Sequence, residues 1–204
     1  MSIFDSHMEF VNAYAKRLCH SGLMAFGASC CERAFPNYVL FHRNECWGEP
    51  RLLRLALDSA WEYVSGKELS NAQIESLSRD CEEVIPDSGD FPSVVASSAQ
   101  DAGFSLIVLL ELASDPDPKH LSRIITFSRD TIERYIEESE NLQAADVDFD
   151  LRIDRHPLTT AEVSKQRVDL EWLSIREQLT LADVTEFQQR ATIGGRSNLG
   201  VLSS

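Results

Sequence analysis

Apolar residues recur along this chain at spacings of three and four, the period of an amphipathic helix, and strict alternation is almost absent. Leu121, Ile124, Ile125, Ser128, Ile132, Tyr135 and Ile136 form one stripe, with Arg129, Asp130, Glu133 and Glu137 opposite. Asp117 before Pro118 supplies an N-cap and first-turn pair for that helix. Leu53, Leu57, Trp61 and Val64 make a second apolar face, closed by Gly66 as a C-cap residue. Ser70 with Gln73 opens a helix that runs to about Val84 and stops before Pro86. Thr159-Thr160-Ala161-Glu162 reads as a capping box, and its helix continues through Val168, Trp172, Ile175, Leu179 and Ala182. Residues 4–18 and 22–34 read as two helices parted near Ser21-Gly22, and 36–46 as a short third one starting at Pro36. The stretch 94–113 is apolar on all sides and reads as the central, most buried helix. DFDLRID, 148–154, alternates, but it sits in an acidic, turn-rich stretch without a pairing partner and reads as a loop. The pattern predicts an all-α fold, a single-domain bundle of about seven or eight helices over 1–204.

With 204 residues and 43% hydrophobic positions, the chain can bury a substantial core. The longest apolar run, Phe104 to Ala113, is broken by Glu111 and falls short of the roughly 20 residues of a membrane span. MSIFDSHMEF carries acids and no base before its first apolar positions, unlike a signal peptide. The expected location is the cytoplasm, with the five cysteines reduced.

Charge changes the picture more than composition does. The net charge is -14. Residues 1–66 are nearly neutral, with six bases and seven acids, whereas residues 67–118 hold two bases and eleven acids. Another eight acids fall between Asp130 and Asp150. Such a surface repels phosphate backbones and anionic lipid, so neither nucleic acid nor membrane is an expected partner. A basic protein is. The residues singled out for that contact are Glu82, Glu83, Asp87 and Asp90, with Glu137 and Glu138.

Cys30, Cys31, His42 and Cys46 have the ligand types of a zinc site. Adjacent cysteines splay to different sides of a helix, however, and no C-x2-4-C pair is present. Packed, reduced thiols are the expected state, and no metal or other cofactor is expected. Cys31, beside Glu32 and Arg33, would need a histidine such as His20 or His42 to act as a nucleophile, and no nucleophile motif surrounds it. GGRSNLG, 194–200, has the glycines of an anion-binding loop without the helix and lysine of a P-loop. It is expected to end the last helix and fasten the C-terminus to the body.

The remaining polar candidates are Glu32, Arg33, Asn37, Asp58, Glu62 and Asp101, all set within apolar helical patterns. Asp58 and Glu62, one turn apart beside Trp61, have the spacing of a carboxylate pair. The structural alternative is that Glu32, Arg33 and Asn37 tie helix ends together through an ion pair and buried hydrogen bonds. Asp101, among Ala99, Ala102 and Phe104, must be paired or protonated if buried.

Cys31-Glu32-Arg33-Ala34-Phe35-Pro36-Asn37-Tyr38, followed by Phe41 and Gly48, resembles the YjaG-like family of small bacterial proteins of unknown function. The resemblance continues through Leu53, Leu57-Asp58 and Trp61-Glu62, and recurs at Asp90-Phe91 and Ala99-Gln100-Asp101-Ala102. It returns at Asp169-Leu170-Glu171-Trp172 and at Ser197-Asn198-Leu199-Gly200-Val201. Where the family pattern tends to have a cysteine after the Asp-Ala pair, this chain has Gly103. The resemblance implies an all-helical fold and brings no activity, cofactor or catalytic residue.

Two functions are consistent with these residues. One is a non-catalytic acidic protein that binds a basic protein partner, in an immunity- or inhibitor-type role. The other is an enzyme or small-ligand-binding protein with an inter-helix site lined by Glu32, Arg33, Asp58, Glu62 and Asp101.

Overall fold

The structure, a computed structural model, describes residues 2–91 and 93–202. Among them are nine α-helices, more than the seven or eight that the spacing predicts, and no strand beyond one isolated bridge between Arg196 and Leu202. In chain order they are α1 (Ile3–Ala15), α2 (His20–Glu45), α3 (Pro50–Val64), α4 (Asn71–Glu82), α5 (Val94–Ser114), α6 (Lys119–Glu140), α7 (Phe149–Arg155), α8 (Pro157–Ser174) and α9 (Leu181–Ala191).

Local chemistry explains most helix ends. Ser2 and Asp5 form a capping box on α1, Ser70 and Gln73 on α4, and Thr180 and Asp183 on α9. Pro50 and Pro157 occupy first-turn positions of α3 and α8, where a missing N–H costs nothing. The Asp117 carboxylate accepts from the Lys119 N–H at the start of α6.

Four expectations need correction. The segments 22–34 and 36–46 are one continuous helix, α2, with Pro36 inside it. DFDLRID is not a loop but contributes to α7, its Ile153 buried in a small cluster with Ile132, Ile136, Leu142 and Leu199. Thr159 and Glu162 are not a capping box: α8 starts at Pro157, where the His156 ring accepts from the Leu158 N–H, and both residues lie buried within the helix. That helix also ends at Ser174, so Ile175 and Leu179 belong to the connection that leads into α9.

The core is built on two helices. α5 packs chiefly against α2 and α6, as its all-round apolar pattern predicts. It is also long and apolar enough to cross a membrane, yet 67% of its most apolar stretch is buried inside the protein. α2 is the second central helix, which its sequence did not suggest: every residue from Gly22 to Ala34 is buried, including Glu32 and Arg33. Gly27 allows this approach, since a Cβ there would meet Leu109 and Ile124 side chains. At Gly103 the side chain of Ile85 fills the space a Cβ would need, which accounts locally for the departure from the family pattern.

Candidate functional site

α8 is the element that makes the polar centre. Thr159, Glu162, Gln166 and Asp169 lie on its buried side at helical spacing, giving a polar stripe where an apolar one is usual. Arg33 of α2, fully buried, meets that stripe. Its Nε donates to both Glu162 oxygens at 3.1 and 3.0 Å, and Nη2 donates to Oε1 at 2.8 Å. Nη1 donates to the Ser29 carbonyl and hydroxyl at 2.9 and 2.7 Å and lies 3.4 Å from Asp169 Oδ2. The Ser29 hydroxyl in turn donates to Asp169 at 3.0 Å. Gln166 donates to Glu162 at 2.7 Å, while Lys165 pairs with Asp169 and Arg190 lies 3.8 Å from it.

Burial alone would push the Glu162 carboxyl up, but Arg33 and Gln166 outweigh it and hold Glu162 below the usual carboxylate range. Arg33 shows the mirror image, raised by Glu162 and Asp169 against the cost of its own burial. Every Arg33 nitrogen is engaged.

The C-terminal segment closes over this centre. The Asn198 N–H donates to the Arg33 carbonyl at 2.9 Å, in the same turn as Pro36, whose missing N–H would otherwise have served the neighbouring Glu32 carbonyl. Asn37 donates to the Asn198 side-chain oxygen at 2.9 Å, and Asn198 Nδ2 donates to Ser128 at 3.3 Å. Ser197 accepts from the N–H groups of Leu199 and Val201, shaping a tight turn. Arg33, Asp169 and Asn198 come from three separated stretches of the family resemblance, and all three meet here.

The other sequence candidates separate into different places. Glu32 is buried beside Arg33 but faces α3, where it takes a two-pronged bond from Arg54 at 2.9 Å and a 2.8 Å bond from Trp61 Nε1. Asp58 and Glu62 are not a buried carboxylate pair: Asp58 is exposed and bonded to Arg54, and Glu62 is exposed and bonded to Lys67. Both lie on the outer side of α3, opposite its buried Leu57, Ala60 and Trp61. Asp101 is buried on α5 and accepts from Thr131 at 2.9 Å, with Arg134 at 3.8 Å. The inter-helix site of Glu32, Arg33, Asp58, Glu62 and Asp101 is therefore not one site.

Burial raises the Asp101 carboxyl to about 6, against the weaker opposing effects of Thr131 and Arg134. A folded-state value above the unfolded one, about 3.9, means the native state holds the proton longer. Asp101 therefore costs stability above pH 6, and that cost fades as pH falls through the window between these values. Asp101→Asn keeps an acceptor for Thr131 and should stabilise the protein at pH 7 by about 1–3 kcal/mol. The check is urea unfolding at pH 7 and pH 4: the gain should be largest at pH 7 and nearly absent at pH 4.

The thiols do not converge. Cys30 and Cys31 are buried near the middle of α2, while Cys46 is exposed just beyond its end, and the three are free. Along the helix axis Cys31 and Cys46 are separated by about 22 Å, at ~1.5 Å per residue. His42 is hydrogen-bonded to the Trp47 carbonyl at 3.0 Å, and His20 to Leu112 and Tyr63. Among the described residues no group of three or more metal-ligating side chains is close enough to hold an ion. Burial pushes the Cys30 thiol up to about 12 and Cys31 well up as well, so neither is a thiolate at neutral pH.

The acidic surface is the remaining candidate. Glu82, Glu83, Asp87 and Asp90 are all exposed, at the end of α4 and the turn after it, and the Asp87 carboxylate shapes that turn by accepting from Gly89 N–H. Glu82 and Asp87 edge an open groove of about 410 Å³ with Ile85, Pro86, Gln100 and Phe104. Phe104 is 38% exposed and stacks on Phe127 of α6 at 6.0 Å. On α6, Glu138 is exposed and Glu137 half-buried.

Comparison with known proteins agrees with this helical architecture. The family model "Protein of unknown function (DUF416)" matches residues 14–202. The uncharacterized protein YjaG of Escherichia coli is 25% identical over 184 residues, covering 88% of this chain and 89% of its own. YjaG of Salmonella typhimurium is 26% identical over 191 residues, with 87% and 89% covered. A crystal structure of a DUF416 family protein from Shewanella baltica superposes with a TM-score of 0.84 at 25% identity, covering 93% of this chain and 97% of that one. The chain therefore belongs to the DUF416 family, the YjaG-like proteins of unknown function.

Proposed function

We propose that this protein is a non-catalytic binding protein whose acidic edge, from the end of α4 to α5, receives a basic protein partner. The carrying observation is the groove in which Glu82 and Asp87 flank Ile85, Pro86 and the exposed ring of Phe104. Arg79, in the last turn of α4, is the one base beside Glu82 and Glu83 in sequence, and no Lys or Arg follows it before Lys119, so acids outnumber bases along this edge. An arginine- or lysine-bearing surface meets both needs there: carboxylates for the charged head and an aromatic face for cation–π contact. A partner-neutralising role of the inhibitor type suits such a surface, since complementary charge speeds encounter. The Arg33 centre, with every guanidinium nitrogen engaged, is read as the scaffold that fixes the helices behind this edge.

The test is affinity capture from a bacterial lysate with three baits. Wild-type protein should retain a basic protein that the Glu82→Lys, Glu83→Lys, Asp87→Lys variant loses. Lys16→Glu, Arg17→Glu, in the near-neutral N-terminal third, should retain it. Equal retention or equal loss by both variants would count against the reading.

A further inference from the structure

A second concavity lies between α1, α6, α7 and α8, away from the acidic edge. It encloses about 390 Å³ of empty space counting its open mouth, of which about 30 Å³ admits the centre of a water molecule. Ile125, Ile132, Ile153 and Val163 make its apolar wall, while His7, Thr159, Glu162 and Gln166 contribute polar groups. At the mouth Phe4 sits under the Arg129 guanidinium at 4.5 Å, beside Glu133 and Asp154.

The polar groups of this cavity are short of donors. Gln166 uses its Nε2 to donate to Glu162, so its oxygen faces His7, 2.6 Å from the ring Nε2. That nitrogen must therefore carry the proton, and Nδ1 of the fully buried ring is left as an acceptor with no partner. Burial favours this neutral ring by pushing its pKa down. The Thr159 hydroxyl, on a residue only 9% exposed, is also without a partner. Glu133 Oε2 lies 3.0 Å from Arg129 Nε in an ion pair at the mouth and so has a partner. Buried polar atoms left unmade cost about 1–3 kcal/mol each, which an occupant supplying N–H groups would recover.

Charge narrows the occupant further. Three carboxylates line the cavity: Arg33 neutralises Glu162 and Arg129 pairs with Glu133, which leaves the Asp154 charge without an ion-pair partner among the described residues. An acid is repelled, an alcohol offers one donor, and a primary ammonium offers three donors and the matching charge. We propose that this cavity binds a small primary amine with a compact apolar body, the head among Thr159, His7 and Glu133 and the body against the isoleucine wall. Because the open space admits little more than water, a ring-sized body requires Phe4 to move from the mouth. This site stands independently of the acidic-edge reading.

Calorimetry on the full chain with cyclohexylamine, cyclohexanol and cyclohexanecarboxylate tests it, since the three share a body and differ in the head. The amine should bind about tenfold or more tighter than the alcohol, through charge-assisted bonds, and the carboxylate should give no heat. Glu133→Gln, at a half-buried position, should cost the amine about tenfold and leave the alcohol unchanged. Thr159→Val, nearly isosteric, should weaken the amine without moving the melting temperature of the free protein downward, and serves if the first variant folds poorly. Equal binding of amine and alcohol would reduce the cavity to an apolar pit. Absence of amine binding to about 10 mM, or an amine affinity unchanged in both variants, would overturn the proposal.

Discussion

Replacing Arg33 by alanine should destabilise the fold by about 3–5 kcal/mol, because it strands charges that the guanidinium now neutralises. Glu162 would keep only Gln166 and a 3.4 Å approach from Ser128. Asp169 would keep Lys165 and Arg190, so the greater part of the loss falls on Glu162. The pH dependence gives the sign. In the native protein the Glu162 carboxyl is held low, so its contribution is present above the unfolded carboxylate value and is lost as pH falls. In the variant the same buried carboxyl loses its chief compensation, and protonation relieves it. The stability gap between the two proteins should therefore narrow from pH 7 to pH 4. Urea unfolding across that range measures both effects, and an unchanged melting temperature would mean that Arg33 is not structural.

Phe187→Ala should cost about 3–5 kcal/mol through the cavity it leaves. Phe187 is completely buried and stacks on Trp172 with ring centroids 5.1 Å apart, with Trp61 edge-on at 6.4 Å. It is the large apolar anchor of α9, whose other buried residues, Val184 and Ala191, are small. Without it α9 would keep Arg190 near Asp169 and the contact of that arginine with Trp172, neither of which replaces the lost packing. Denaturant unfolding should show a lower midpoint, and tryptophan emission should shift to longer wavelength as two of the three tryptophans lose a ring neighbour. A midpoint within experimental error of wild type would contradict this packing.

The elements that were legible in the sequence are those whose cause is local. Ser70 and Gln73 announce α4, Pro50 opens α3, and the stripe from Leu121 to Ile136 is the buried side of α6. The continuity of α2 was not legible, because Pro36 ordinarily starts or stops a helix. Here the helix runs through it, with the Arg33 carbonyl accepting from Asn198, 165 positions further along the chain. The start of α8 is hidden in the sequence for a related reason. Its buried side carries Glu162, Gln166 and Asp169, so the rule that apolar residues face inward points the wrong way. The partner of Arg33 could be expected as an acid but not named, since the choice of Glu162 rests on tertiary packing. Asp58 and Glu62 have the one-turn spacing of a carboxylate pair beside Trp61, yet at their spacing from Leu57 and Trp61 they project outward, each to its own cationic partner. The signal that could have found Glu162, Gln166 and Asp169 is their own helical spacing as polar residues, read together with the buried position of Arg33.

The acidic edge is the part of this account that bears on function, and association kinetics test it most directly. The basic protein retained by the wild-type bait is mixed with wild-type protein at salt from about 0.01 to about 1 M, over which the Debye length falls from about 30 to about 3 Å. The association rate should fall steeply with salt for the wild type. For the Glu82→Lys, Glu83→Lys, Asp87→Lys variant it should already be slow at low salt and nearly flat thereafter, whereas Lys16→Glu, Arg17→Glu should behave as wild type. Identical salt dependence in all three proteins would show that the charge on this edge is only solvated surface, and would contradict the proposed interface.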